Sequence, residues 1–158
     1  MEDASQAAPD AAAVAASMAV LDRFMAALNA RDQRALAATM HFPHHRLAGS
    51  RFQVWERPED YTIEGFVARA GDGWARSDWD FRRVVAAGPA KVHLDVQFTR
   101  RRADGSAIGS FRSLWVVACL DGVWGCRRGR ALRPEPAMPL AGPRQTGSTP
   151  PHQGGTPC

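Results

Sequence analysis

Two Asp-Gly pairs, Asp104-Gly105 and Asp121-Gly122, cut the second half of this chain into strand-length runs. Asp-Gly between apolar runs is among the strongest local signals for a tight antiparallel hairpin, because both residues tolerate the positive φ that a two-residue loop demands. The runs beside them, 91–102, 107–120 and 123–131, are rich in Val, Phe and Trp alternating with polar residues, and 78–86 reads the same way. Such alternation is the signature of half-buried strands. Four consecutive antiparallel strands are therefore expected, with one face in need of cover.

The first half supplies that cover. From Ala11 to Asn29 the positions Val14, Met18, Leu21, Met25 and Leu28 recur every three or four residues, which is a helical stripe. Asn29 suits a left-handed stop. Asp32 suits the cap of a second, short helix carrying Leu36 and Met40, which Pro43 ends. Arg46-Leu47-Ala48 and Phe52–Trp55 read as two short strands around Gly49-Ser50. Pro58 fits a first helical residue, with Glu59 and Asp60 at the positive end of a third helix that carries Ile63, Phe66 and Val67 and stops near Gly71. The expected class is α+β, with helices on one face of a curved antiparallel sheet.

At 158 residues the chain is one domain long and needs no disulfide or metal to bury a core. Residues 1–10 read as a disordered N-terminus and 11–131 as the folded domain. Residues 132–158 hold seven of the 11 prolines and read as a disordered tail. The three cysteines, Cys119, Cys126 and Cys158, give neither a metal spacing nor a disulfide framework. The start, Met1-Glu2-Asp3-Ala4, is acidic where a secretory leader is basic, and no apolar run approaches the roughly 20 residues that span a bilayer. A cytoplasmic protein with no membrane partner is expected. Twenty basic against 16 acidic groups is a small excess. Arg100-Arg101-Arg102 flanks a turn and reads as a solvated loop tip, so no nucleic-acid partner is expected. Gly71-Asp72-Gly73 precedes a strand and is not a dinucleotide loop.

Two-residue turns fix which side chains share a face. Asp121-Gly122 pairs Cys119 with Trp124, Val117 with Cys126 and Trp115 with Arg128. Asp104-Gly105 pairs Phe98 with Phe111, Val96 with Ser113, Leu94 with Trp115 and Val92 with Val117. A four-residue loop at 87–90 adds Val85, Arg83, Phe81 and Trp79 to the same face. That face is apolar apart from Arg83 and Arg128. The opposite face, with Asp80, His93, Asp95 and Arg112, is mixed and suits a wet surface or a dimer.

This order of elements resembles the nuclear transport factor 2-like superfamily, in particular its SnoaL-like and ketosteroid-isomerase-like bacterial branch. The stretch Val20-Leu21-Asp22-Arg23-Phe24-Met25-Ala26-Ala27-Leu28-Asn29-Ala30-Arg31-Asp32, then Leu36 to Phe42, carries the resemblance, together with the hairpin Leu114–Val117 to Asp121–Trp124. The resemblance implies a cone-shaped sheet with three helices packed on its concave face, a hydrophobic cavity between them, a homodimer and no cofactor. In the isomerase branch a carboxylate base follows the second helix. Here that place reads His41-Phe42-Pro43-His44-His45.

His41 and His44 are therefore the candidate acid/base residues, since imidazole moves protons in either direction near neutral pH. Pro43 breaks the helix that would bring all three rings together, so no metal site is assigned. Arg83 and Arg128 read either as a clamp for an oxyanion or as rim residues reaching water. Trp55, Trp79, Trp115 and Ser113 are candidate ligand-binding residues on the cavity wall. The expected function is binding of a hydrophobic small molecule, as a cofactor-free acid/base enzyme acting on a carbonyl or epoxide substrate. The alternative is a non-catalytic dimeric ligand carrier or protein-interaction domain.

Overall fold

Helix α1 (Ala4–Ala30) opens the chain and lies across a six-stranded curved sheet. The computed structural model describes residues 4–131, and the side chains of 10–127. The expected tail at 132–158 lies outside the described residues. After α1 come α2 (Gln33–Ala37), β1 (Met40–Ala48), β2 (Arg51–Trp55), a 3-10 turn at Pro58–Asp60 and α3 (Ile63–Ala70). Four long strands complete the domain: β3 (Trp74–Gly88), β4 (Lys91–Arg102), β5 (Ala107–Leu120) and β6 (Val123–Ala131). The strand order is β2-β1-β6-β5-β4-β3. Every neighbouring pair is antiparallel except β1 and β6, which run parallel. The architecture is the expected α+β cone, with a mixed rather than a purely antiparallel sheet.

Local chemistry explains the helix boundaries. Helix α1 ends in a Schellman arrangement: the Asp32 N–H donates to the Ala27 carbonyl at 2.9 Å and the Arg31 N–H to that of Leu28 at 3.1 Å. The left-handed residue is Arg31, with φ 56°, and not Asn29. Asn29 does something else. Its side-chain amide donates to the Ser77 carbonyl at 2.9 Å and its oxygen accepts the Ser77 N–H at 2.8 Å, which pins the helix end to β3. Asp32 caps α2 through the Ala35 N–H at 2.9 Å, as expected. The second helix is shorter than expected, because the chain turns into strand β1 at Met40. Pro58 opens only the 3-10 turn, and Thr62 caps α3 by accepting the Gly65 N–H at 3.0 Å. Gly71 ends α3 with φ 104°, and a Cβ there would meet Ile108 at 2.7 Å, so only glycine fits.

The hairpin at Asp121-Gly122 is a two-residue loop with positive φ at both residues, 51° and 77°. Cys119 faces Trp124 and Val117 faces Cys126, as expected. Beyond that point an extra residue in β6 shifts the ladder: Val116, not Trp115, lies opposite Arg128. The other Asp-Gly hairpin has a three-residue loop, with Arg102 bonded to Ser106 and Gly105 at φ 87°. An extra residue at Ile108 then cancels the offset, so Phe98–Phe111, Val96–Ser113, Leu94–Trp115 and Val92–Val117 pair as expected.

Strand β3 departs furthest from expectation. Its turn to β4 is two residues long, and its ladder breaks three times, around Ala75, Asp80 and Val85. Each bulge puts two residues opposite one and inverts the faces beyond it. Trp79 stays opposite Phe98, on the inner face. Phe81 and Arg83 move to the outer face, opposite Gln97 and Asp95, and Arg82 takes the inner position opposite Val96.

The core lies between α1 and the inner sheet face. Val20, Leu21, Leu36, Val92, Leu94, Val96 and Val117 have no exposed surface, and each stabilises the fold by roughly 1.5–3 kcal/mol of apolar burial. Within α1, Asp10–Ala30 is long and apolar enough, by length and composition alone, to cross a membrane. This corrects the expectation that no run reaches that length. The apolar residues of this helix, Val20, Leu21, Phe24 and Leu28 among them, pack in the core.

Candidate functional site

A cavity of about 100 Å³ lies between α1, α3 and the inner face of the sheet. That is room for several waters or for part of a small organic molecule. One end is apolar. Phe24, Met25 and Leu28 of α1 face Phe98 of β4 and Phe111 and Trp115 of β5. Strand alternation explains the set: Phe98 follows Val96 by two, and Phe111, Ser113 and Trp115 are spaced by two. Phe24 meets Trp115 edge-on at 4.8 Å, and Phe98 stacks on Phe111 at 5.6 Å. Behind this wall Trp79 sets its ring edge-on to Trp115 at 5.6 Å and to Phe98 at 5.9 Å.

The other end is polar. His44 and Arg46 alternate on β1 and face inward, and Tyr61 approaches from the segment before α3. Gln33 of α2 holds that segment. Its amide donates to the Tyr61 carbonyl and its oxygen accepts the Ile63 N–H at 2.7 Å. His44 is 8% exposed and sits among Trp55 and Tyr61, both at 5.9 Å, and Phe42 at 6.3 Å. Its Nδ1 is buried without a hydrogen-bond partner. Burial pushes its pKa down to about 4; a backbone hydrogen bond at Cys126 opposes this, and the charges of His45, Arg127 and Arg46 add to it. Burial raises the Tyr61 phenol and pushes the Cys126 thiol up to about 12, so at neutral pH both are protonated.

Arg46, Arg69 and Arg100 border the same space. Arg100 is 7% exposed. Its Nη1 donates to the Arg69 carbonyl at 3.1 Å and the Ala70 carbonyl at 3.2 Å, the last turn of α3, where the helix dipole is negative. Its guanidinium lies 4.2 Å from the centre of Phe111 and 5.2 Å from that of Phe66. Burial, then the charges of Arg46 and Arg69, lower its pKa to about 10. Burial and then Arg69 lower that of Arg46 as well. Arg69 itself lies over Trp55 at 5.5 Å. Among the described residues no Asp or Glu lines the cavity.

This fold, a curved sheet covered by helices, recurs among solved structures. One is an NTF2-like protein with a cystatin-like fold from Novosphingobium aromaticivorans, with a TM-score of 0.61 at 14% identity, over 83% of this chain and 90% of that one. This chain has the nuclear transport factor 2-like fold. A cystatin-like-fold protein of unknown function from Nostoc punctiforme gives 0.58 at 17% identity, over 72% and 85% of the two chains. A ketosteroid isomerase-like protein from Erwinia carotovora gives 0.54 at 16%, over 76% and 96%. No family model and no curated protein matches the sequence.

Within this nuclear transport factor 2-like cavity, His44, Ser113 and Trp115 line the space. Trp55 packs at 4.9 Å against Tyr61, and Trp79 stands behind Trp115, so both lie one layer back. His41 is elsewhere. Its Nε2 lies 2.9 Å from the Ala118 carbonyl and its ring covers Gly125, on the outer face. Strand parity separates it from His44. His45 also leaves the site and stacks on Phe52 at 5.7 Å. Arg83 is on the outer face, 4.2 Å over Phe81, because the bulges of β3 invert its parity. Arg128 pairs through its backbone with Val116 and His45, and its side chain lies outside those described. Among the described residues no group of three His, Cys, Asp or Glu gathers closely enough to hold a metal ion.

Sequence reasoning missed Tyr61, Arg46, Arg69 and Arg100. For Arg100 the signal was present: it is the next inward residue after Val92, Leu94, Val96 and Phe98. Only Arg101 and Arg102 of the arginine run behave as the expected loop tip, bonding Asp78 and Ser106.

Proposed function

We propose that this protein binds a small molecule in the cavity and acts on it as a cofactor-free acid/base catalyst. The observation that carries the reading is a cavity lined both by aromatic rings and by a neutral imidazole. The hydrophobic body of a carbonyl substrate would lie against Phe24 and Trp115. His44, in the tautomer that leaves Nδ1 unprotonated, would take a proton from the carbon beside the carbonyl. The C–H electron pair would form the carbon–carbon double bond of an enolate as the carbonyl π pair moves to oxygen, where Arg46 or Arg100 would stabilise the charge, and His44 would return the proton to carbon to complete an isomerisation. Those two would take the role expected of Arg83 and Arg128.

A second reading, a non-catalytic ligand carrier, has one observation in its favour. A histidine pushed down to about 4 is a weak base at neutral pH. Native mass spectrometry of the full chain tests what both readings share and reports the expected homodimer at the same time. The expected result is a bound organic mass that Ser113→Phe, which fills the cavity, removes. A bare protein, or a mass retained by the filled variant, overturns the pocket reading.

A further inference from the structure

We infer that the cavity is an anion site: Arg46, Arg69 and Arg100 receive the carboxylate of a small aromatic acid whose ring lies against Phe24, Phe98 and Trp115. The inference rests on the pocket reading above and names its ligand class. Three guanidinium groups converge here from three elements, β1, α3 and β4. Burial lowers Arg46 and Arg100, and the like charges of the neighbouring arginines lower them further. Among the described residues none of the three has a carboxylate partner. The arginines that do are Arg57, Arg76, Arg82, Arg101 and Arg112; of these only Arg112 also borders the cavity, and its charge is met by Asp95 at 2.7 Å.

Such a group is costly to assemble without an opposing charge. The α3 carbonyls offset part of the cost at Arg100 through Nη1. Its Nε is left buried with no partner, as is His44 Nδ1. The free Arg100 N–H is what a carboxylate uses, since guanidinium presents parallel N–H groups at carboxylate spacing. The rest of the wall decides the body of the ligand. Aromatic rings and methionines offer few partners for sugar or other hydroxyls, so a ring bearing one acid group fits better than a phosphorylated sugar.

The test is calorimetric titration of the full chain with phenylacetate, its neutral isostere phenylacetamide, and inorganic phosphate. Phenylacetate is expected to bind at least tenfold more tightly than the amide, and to weaken as salt is raised. Arg46→Gln and Arg69→Gln are each expected to lower that affinity about tenfold while leaving the melting temperature unchanged or higher, because each relieves repulsion in the empty cavity. Equal binding of acid and amide overturns the anion site and leaves the pocket intact. Phosphate binding more tightly than phenylacetate overturns the carboxylate assignment. So does a pair of variants that melt earlier yet bind phenylacetate as before, which is the behaviour of structural arginines. Absence of binding by all three probes also overturns it, whatever mass the native protein carries.

Discussion

His44 stays neutral in the folded protein down to about pH 4, whereas the unfolded chain protonates it near 6.5. Between those values the unfolded state holds the extra proton, so acid favours unfolding. The stability in question is complete above pH 6.5 and is lost progressively as pH falls to about 4. A shift of this size corresponds to about 3 kcal/mol. Urea unfolding at a series of pH values should show the wild type losing about that much more than His44→Gln over this window. Identical pH profiles would mean that the ring is not held neutral. Residue by residue, this site was only half legible. Asp32 and Pro43 make residues 33–42 read as helix, so strand parity, which sets His44 apart from His41 and His45, had no strand to act on. Arg100 was hidden differently: three consecutive arginines read as a solvated run, and alternation along β4 turns the first of them inward.

Among the elements, α1 and β3 depend on a small polar clamp. Asn29 exchanges two hydrogen bonds with the backbone of Ser77, whose hydroxyl accepts the Trp74 indole N–H at 2.9 Å. Asn29→Ala leaves both backbone groups of Ser77, a residue with no exposed surface, without these partners. A loss of about 2–3 kcal/mol follows from two part-buried bonds, measurable as a lower urea midpoint at unchanged slope. The hairpins were legible because Asp-Gly reports local backbone geometry directly. The bulges around Asp80 and Val85 were not. A bulge answers to the twist and packing of neighbouring strands, and no residue type marks it. That is why Phe98, Ser113 and Trp115 fell on the expected face while Arg83 did not.

At the scale of the molecule, stability is concentrated where β4 and β5 meet α1. Val92, Leu94, Val96 and Val117 are fully buried there, whereas β2 exposes Phe52 and Val54 at the sheet edge. Hydrogen exchange should therefore be slowest in the amides of β4 and β5 and fastest in β2. Rapid exchange at the centre of β4 would contradict this distribution. One topological detail governs how the protein comes into being. β1 is made early, yet its inner neighbour is β6, the last of the described strands, with Met40 meeting Cys126. During synthesis β1 waits, paired only with β2, until almost the whole domain has left the ribosome. His44 and Arg46 ride on that waiting strand, and Arg100 is made long after them. A chain halted before β6 would carry the helices and β3–β5 but leave the strand that bears His44 and Arg46 without its inner neighbour, so the cavity would lack its β1 wall.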